Sequence, residues 1–263
     1  MPFSGSEVLR YAKEGRKAYL TLNRPKALNA LNLELRSSLV EALDAVESDD
    51  EVLVAILCGE GGRAFSSGAD LKETAERDAA GPVGGATGRI PAFDALRDCR
   101  KPLIAAIDGY CVAAGFEISL LCDIRVATMQ SQFGLPEPRR SLLAGTGLHH
   151  LSRIVPLGEA MLMQLTGSFI SAERAYQIGL VQRLAPDRQA LMDEANAIAD
   201  DILLGAPLAV QAIKRVVRIA RNLPPEYSEH FAGPIEEVVY ASEDRLEGPR
   251  AFAEKRAPEW KGR

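Results

Sequence analysis

Cysteine is scarce in this chain. Cys58, Cys99, Cys111 and Cys122 are spread out with no CxxC pair. A disulfide framework or a thiolate zinc cluster needs denser, regularly spaced cysteines. Three of the four sit in apolar contexts and read as reduced core thiols, which suits a reducing cytoplasm. Histidine is scarcer, at three residues, and the adjacent His149 and His150 have no cysteine or carboxylate cluster beside them in sequence. Both read as structural, and neither a metal nor a separate cofactor is expected. No apolar run approaches the ~20 residues of a membrane span, so no membrane association is expected. Residues 1–7 lack a cationic start and an apolar core, so no secretory signal is expected there. Positive charge is not in excess either: 31 Lys and Arg stand against 36 Asp and Glu, a net −5. Nucleic acid is therefore not the expected partner, although a small phosphorylated ligand needs only a few placed cations. Internal repeats and low-complexity tracts are absent.

What is present is a globular composition. The 263 residues are 47% hydrophobic, enough for a sizeable core in one large or two small domains. Residues 16–22 alternate like a strand before Asn23-Arg24-Pro25-Lys26 breaks the pattern. Asn32 is placed to cap a helix whose Leu33, Leu35, Leu39, Leu43 and Val46 recur at helical spacing. The runs 52–57, 103–107 and 124–127 read as strands, the first two buried on both faces. Residues 115–121 form a short apolar helix, and a helix begins at Asp70. The small, glycine-rich stretch 79–88 reads as a mobile loop. This alternation predicts an α/β fold with parallel strands. After about Ala190 the strand patterns stop, and 193–204, 208–220, 225–240 and 244–255 read as helices. The change suggests a core of residues 1–204 and a helical region of residues 205–263.

Two glycine-bearing turns carry the chemistry. Ala64-Phe65-Ser66-Ser67-Gly68-Ala69-Asp70-Leu71 and Asp108-Gly109-Tyr110-Cys111-Val112-Ala113-Ala114-Gly115-Phe116-Glu117 each follow an apolar strand and open into a helix. Such turns expose backbone N–H groups, and two that converge trap a carbonyl oxygen that becomes negative during a reaction. Glu117 lies inside the second turn, and Glu137 follows in Phe133-Gly134-Leu135-Pro136-Glu137. Taken singly, Glu117 reads as a carboxylate favoured by the helix dipole and Glu137 as a partner of Arg139 or Arg140. Together with the turns they form a kit for acid–base chemistry beside an acyl carbonyl.

In order and spacing, five pieces resemble the crotonase, or enoyl-CoA hydratase/isomerase, superfamily over essentially the whole chain. They are Asn23-Arg24-Pro25-Lys26-Ala27-Leu28-Asn29-Ala30-Leu31, the two turns, Leu121-Cys122-Asp123-Ile124, and Phe252-Ala253-Glu254-Lys255-Arg256-Ala257-Pro258. The resemblance implies a spiral of ββα units with a C-terminal helical trimerisation region, assembled as a homotrimer or a dimer of trimers. It implies an acyl-CoA thioester as substrate, with the Ala69 and Ala114 N–H groups as oxyanion donors. Family hydratases carry glutamates at the positions of Glu117 and Glu137. These imply water activation by Glu117, proton delivery by Glu137, and syn addition of water across C2=C3 of a 2-enoyl-CoA.

The resemblance further implies substrate contacts from Lys26, Leu28, Ala64, Ser67, Gly68, Asp70, Leu71, Lys72, Gly115 and Leu142. Phe252 and Lys255 on the tail are placed to meet a ligand, including one held by a neighbouring subunit. Arg24, Lys26, Arg63 and Lys72 are candidate partners for the phosphates of coenzyme A, and Asp70 also reads as a helix cap. Two departures stand out. Ala113-Ala114-Gly115 replaces three glycines, and the segment from Arg139 to Leu151 is shorter than the usual glycine-paired stretch. The second departure predicts an acyl pocket suited to a bulkier or more polar chain than crotonyl. Gly115-Phe116-Glu117 resembles the carnitinyl-CoA dehydratase branch. Dehydration or isomerisation of a modified acyl-CoA therefore stays open as an alternative, as does a catalytically silent scaffold.

Overall fold

The computed structural model describes residues 3–79 and 90–263. Most of the stretch expected to be a mobile loop, residues 80–88, lies outside the described residues. The chain begins with an antiparallel hairpin of β1 (Leu9–Glu14) and β2 (Lys17–Leu22), then α1 (Leu33–Ser48). The Asn32 side chain accepts a hydrogen bond from Leu35 N at 3.0 Å, the expected cap.

Three ββα units follow. The first is β3 (Val54–Gly59), β4 (Ala64–Ser66), α2 (Leu71–Ala79) and an extra helix α3 (Pro91–Asp98). The second is β5 (Leu103–Ile107), β6 (Tyr110–Val112) and α4 (Ala114–Leu121). The third is β7 (Ile124–Thr128), β8 (Gln132–Gly134), a 3₁₀ turn over Glu137–Arg140, and helices α5 (Gly145–Ile154) and α6 (Leu157–Thr166). Next come β9 (Ile170–Ser171), α7 (Ala172–Gln177), β10 (Arg183–Ala185) and α8 (Arg188–Leu203). The chain closes with α9 (Pro207–Ala220), α10 (Pro225–Tyr240) and α11 (Asp244–Glu254).

Among the described residues the strands form two sheets, ordered β1-β2-β3-β5-β7-β10 and β4-β6-β8-β9. The first is parallel from β2 to β10, and the second is parallel except where β9 meets β8. The first strand of each unit joins one sheet and the second strand joins the other. Each unit thus advances both sheets by one strand, which makes the chain path a spiral.

β3 and β5 are buried along their whole length, hence their unbroken apolar runs. Alternate residues face opposite layers. Val54, Ile56 and Cys58 pack with Leu191, Ala195 and Ala199 of α8. Ala55 and Leu57 belong to the larger cluster with Leu35, Leu39 and Phe116. All four cysteines are free and buried. Strands β4, β6 and β8 have three residues each, too few for a periodic signal.

The C-terminal helices are tied to the core by Asp123. Its carboxylate meets Lys214 and Arg218 of α9, each at 2.8 Å, and accepts from Leu103 N of β5 at 2.8 Å. Among the described residues, no helix is long and apolar enough to cross a membrane.

Candidate active site

Parallel pairing of β4 with β6 sets the two glycine-bearing turns side by side, and the absence of side chains lets them touch. A Cβ on Gly115 would overlap the Ser66 carbonyl, and one on Gly68 would fall 2.6 Å from the Ala113 Cβ. Gly68 has φ +101°, which glycine adopts without cost. Gly115 is therefore a close-approach residue in the packing of α4 on β4. The first turn is further held by Ser67 N donating to Leu28 O at 3.0 Å and Leu31 N to Gly68 O at 2.8 Å. The buried Asn29 side chain donates to Glu60 O and Ala64 O.

The backbone N–H groups of Ala69 and Ala114 donate to no acceptor among the described residues. Ala114 is the first residue of α4, where an N–H has no partner inside the helix. Ala113 just before it has φ 51° and ψ −135°, a backbone region that suits glycine better than alanine. The alanine that supplies the N–H is thus helical, and the strain sits one residue earlier.

The two glutamates have opposite surroundings. Glu117 is buried on α4, yet its Oε1 accepts from Thr146 N at 2.6 Å and Gly147 N at 3.0 Å. These are orphan donors in the first turn of α5. Burial raises the Glu117 pKa, and the two N–H groups work against that rise. Glu137 is also buried, and its Oε2 has no hydrogen-bond partner. Burial, reinforced by the nearby Glu117 charge, raises its pKa to about 7 despite opposition from its own backbone N–H and from Arg140. Within the pair, hydrogen bonds favour the charged form of Glu117, while Glu137 keeps its proton up to pH about 7.

Both carboxylates open on one cavity of about 1250 Å³. Of the residues expected at the site, Ala69, Ala114, Ser67, Leu71 and Leu142 line it with Glu117 and Glu137. Lys26, Leu28, Ala64, Gly68, Asp70, Lys72 and Gly115 do not. Lys26 and Lys72 are exposed outside it, and Ala64 is buried within β4. Asp70 precedes α2 and accepts from Lys72 N at 3.2 Å, as a cap does; its other oxygen pairs with Arg24 at 2.9 Å. Arg24 also donates to Ala30 O, so it is engaged in holding the turn. Phe252, 88% exposed, and Lys255 lie on the tail, away from the cavity of their own chain. Among the described residues, no group of three or more His, Cys, Asp or Glu is gathered as a metal would require.

Sequence reasoning missed several cavity residues. His149 and His150, expected to be structural, line it with Phe93, Arg97 and Phe169. They lie on helices or turns whose course the sequence pattern left open. The Thr146 and Gly147 donors could have been sought in the Gly145-Thr146-Gly147 run, since a helix start there exposes N–H groups.

With this geometry in place, the comparisons are direct. The profile of the enoyl-CoA hydratase/isomerase family matches residues 13–263. The (E)-benzylidenesuccinyl-CoA hydratase of Thauera aromatica is 39% identical over 255 residues, covering 93% of this chain and 95% of the relative. The carnitinyl-CoA dehydratase of Citrobacter koseri is 38% identical over 98% of this chain and all of its own length. The crystal structure of an enoyl-CoA hydratase from Mycobacterium tuberculosis H37Rv superposes with a TM-score of 0.89 at 38% identity, over 98% of this chain and 100% of that one. The chain belongs to the enoyl-CoA hydratase/isomerase family and has its crotonase fold. It is an enzyme with hydratase-like activity on acyl-CoA thioesters.

Proposed function

We propose that this enzyme adds water across C2=C3 of a 2-enoyl-CoA through Ala69, Ala114, Glu117 and Glu137. The Ala69 and Ala114 N–H groups hold the thioester oxygen and stabilise the enolate charge that develops there. Glu117, fixed through Oε1, has Oε2 left to orient a water and take its proton as oxygen bonds to C3. The π electrons move toward C2 and the thioester oxygen, and Glu137 gives its proton to C2. The pair gains one proton and loses one, so a single transfer between them resets the site. Delivery from one side gives syn addition. The observation that carries this reading is the asymmetry of the pair: one carboxylate has two N–H donors, and the other has an unpartnered oxygen and a pKa near neutrality. Run in reverse, the same groups remove water from a 3-hydroxyacyl-CoA, the direction named for the carnitinyl-CoA dehydratase relative.

The test is loss of absorbance of the conjugated thioester on mixing enzyme with enoyl-CoA esters. No hydration of any ester by the intact protein would refute the reading. We also read α9 to α11 as an assembly surface for a homotrimer or dimer of trimers, because α9 leaves Ile213 63% and Val217 59% exposed. A cytoplasmic location fits the four free, buried thiols.

A further inference from the structure

The chain carries a net negative charge, yet one wall of its cavity is cationic. Arg97 of α3, Arg139 and Arg140 of the 3₁₀ turn, and His149 and His150 of α5 all line it. Apart from Glu117 and Glu137, the acidic residue on the lining is Asp94, which is ion-paired with Arg97 at 2.5 Å. Arg139 is engaged with Thr166 O at 2.9 Å and Ser168 Oγ at 3.2 Å. The side chains of Arg140, His149 and His150 make no hydrogen bond or ion pair among the described residues. Burial lowers the His150 pKa, and Arg97, Arg153, Arg218 and His149 lower it further, so positive charge gathers around this imidazole. Next to these groups the lining is apolar, with Phe93, Leu142 and Leu148.

Arg140 and His149 are exposed and His150 is half-buried, so a hydrocarbon acyl chain packed against them would displace their water without replacing its hydrogen bonds, which is unfavourable. None of the cations expected to meet coenzyme A phosphates, Arg24, Lys26, Arg63 and Lys72, lines the cavity. We propose that the cavity takes an acyl-CoA whose acyl chain ends in a carboxylate, held by Arg140 with His149 and His150 and favoured by the neighbouring Arg97. Arginine suits a planar two-oxygen group, and a neutral imidazole N–H still donates to it. This assignment rests on the cavity being the acyl-thioester site.

Saturated esters separate the question from turnover. Pairs of equal length that differ only in the terminal group, such as adipoyl-CoA and hexanoyl-CoA, share every coenzyme A phosphate. The full-length protein is titrated calorimetrically with such pairs at four to eight acyl carbons. The carboxylated member of at least one pair binds ~10-fold or more tighter, the scale of one hydrogen bond to a charged group. In Arg140→Gln, and in Arg140→Gln combined with His149→Gln, that preference falls ~5-fold or more; circular dichroism verifies that both variants are folded. Equal or tighter binding of the methyl-ended ester in every pair overturns the inference, as does an undiminished preference in both folded variants. If methyl-ended esters bind and carboxylated ones do not, the inference fails while the thioester reading stands. If no ester binds, both fail.

Discussion

Glu117 of α4 caps the start of α5 through a 2.6 Å hydrogen bond to Thr146 N. The residue proposed to activate water also joins two helices. Glutamine keeps an oxygen for the cap but no basic carboxylate. Glu117→Gln is expected to lose ~10²-fold or more in turnover, the usual yield of a general base, with its melting temperature nearly unchanged. Glu117→Ala is expected to lose activity and also ~1–2 kcal/mol of stability, the cost of a deleted N-cap. Thermal melting of both variants beside the absorbance assay separates the two roles.

In the proposed mechanism, Glu137 sets the pH profile. Its proton is present below pH about 7 and leaves as the pH rises through that value. Hydration kcat/KM should therefore fall on the alkaline side of neutrality, and Glu137→Gln should lose ~10²-fold or more together with that limb. Linkage gives a matching change in stability. The folded pKa lies above the unfolded one, so the group's contribution is full below its ordinary range and is lost as pH rises to about 7. Glu137→Gln should therefore gain melting temperature relative to the parent between pH 5 and pH 8. A constant difference across that range would contradict the raised pKa.

Ala113 is a site for gain. At φ 51° and ψ −135° its methyl costs ~1–2 kcal/mol, partly offset by the greater backbone freedom glycine loses on folding. Ala113→Gly is expected to raise the melting temperature by ~1–4 °C, since ~1 kcal/mol corresponds to ~2–4 °C in a chain of this size. A drop in melting temperature would mean that the methyl's contact with the Gly68 turn outweighs the strain.

The oxyanion donors belong to the backbone, so side-chain deletion should leave them intact. Ala69→Gly and Ala114→Gly should retain most turnover, whereas Ala69→Pro and Ala114→Pro should abolish it by removing the N–H. Circular dichroism must accompany the proline variants, and a folded proline variant with full activity would remove that residue from the role.

Assembly is measurable by light scattering. The protein should run as a trimer or hexamer at micromolar concentration, and Val217→Glu together with Ile213→Glu should shift it toward smaller species. A stable parent monomer would contradict the role proposed for α9.

Legibility in the sequence followed burial and length. β3 and β5 announced themselves because strands buried on both faces carry unbroken apolar runs, and α1 because Asn32 and the leucine spacing agree. The hairpin strand β1 and the three-residue strands β4, β6 and β8 left no pattern to read. Glu117 and Glu137 were visible beside the turns, and the family resemblance implied their division of labour, but the physical basis of that division was not legible. It depends on α5 presenting its N-terminus to Glu117 and on the burial of Glu137 with no hydrogen-bond partner for its Oε2, both products of tertiary packing. His149 and His150 looked structural because nothing in the sequence places α5 against the cavity.

Gly115 leaves no room for even one extra carbon between the second turn and Ser66. The spacing of the two proposed oxyanion donors is thus locked by backbone meeting backbone, beyond the reach of ordinary side-chain exchange. The facing wall, built from α3, the 3₁₀ turn and α5, is made of side chains and is free to vary. A laboratory seeking new acyl groups for this scaffold should randomise that wall and leave the glycine turns alone, because the proposed roles put the reaction and the choice of substrate in separable parts of the chain.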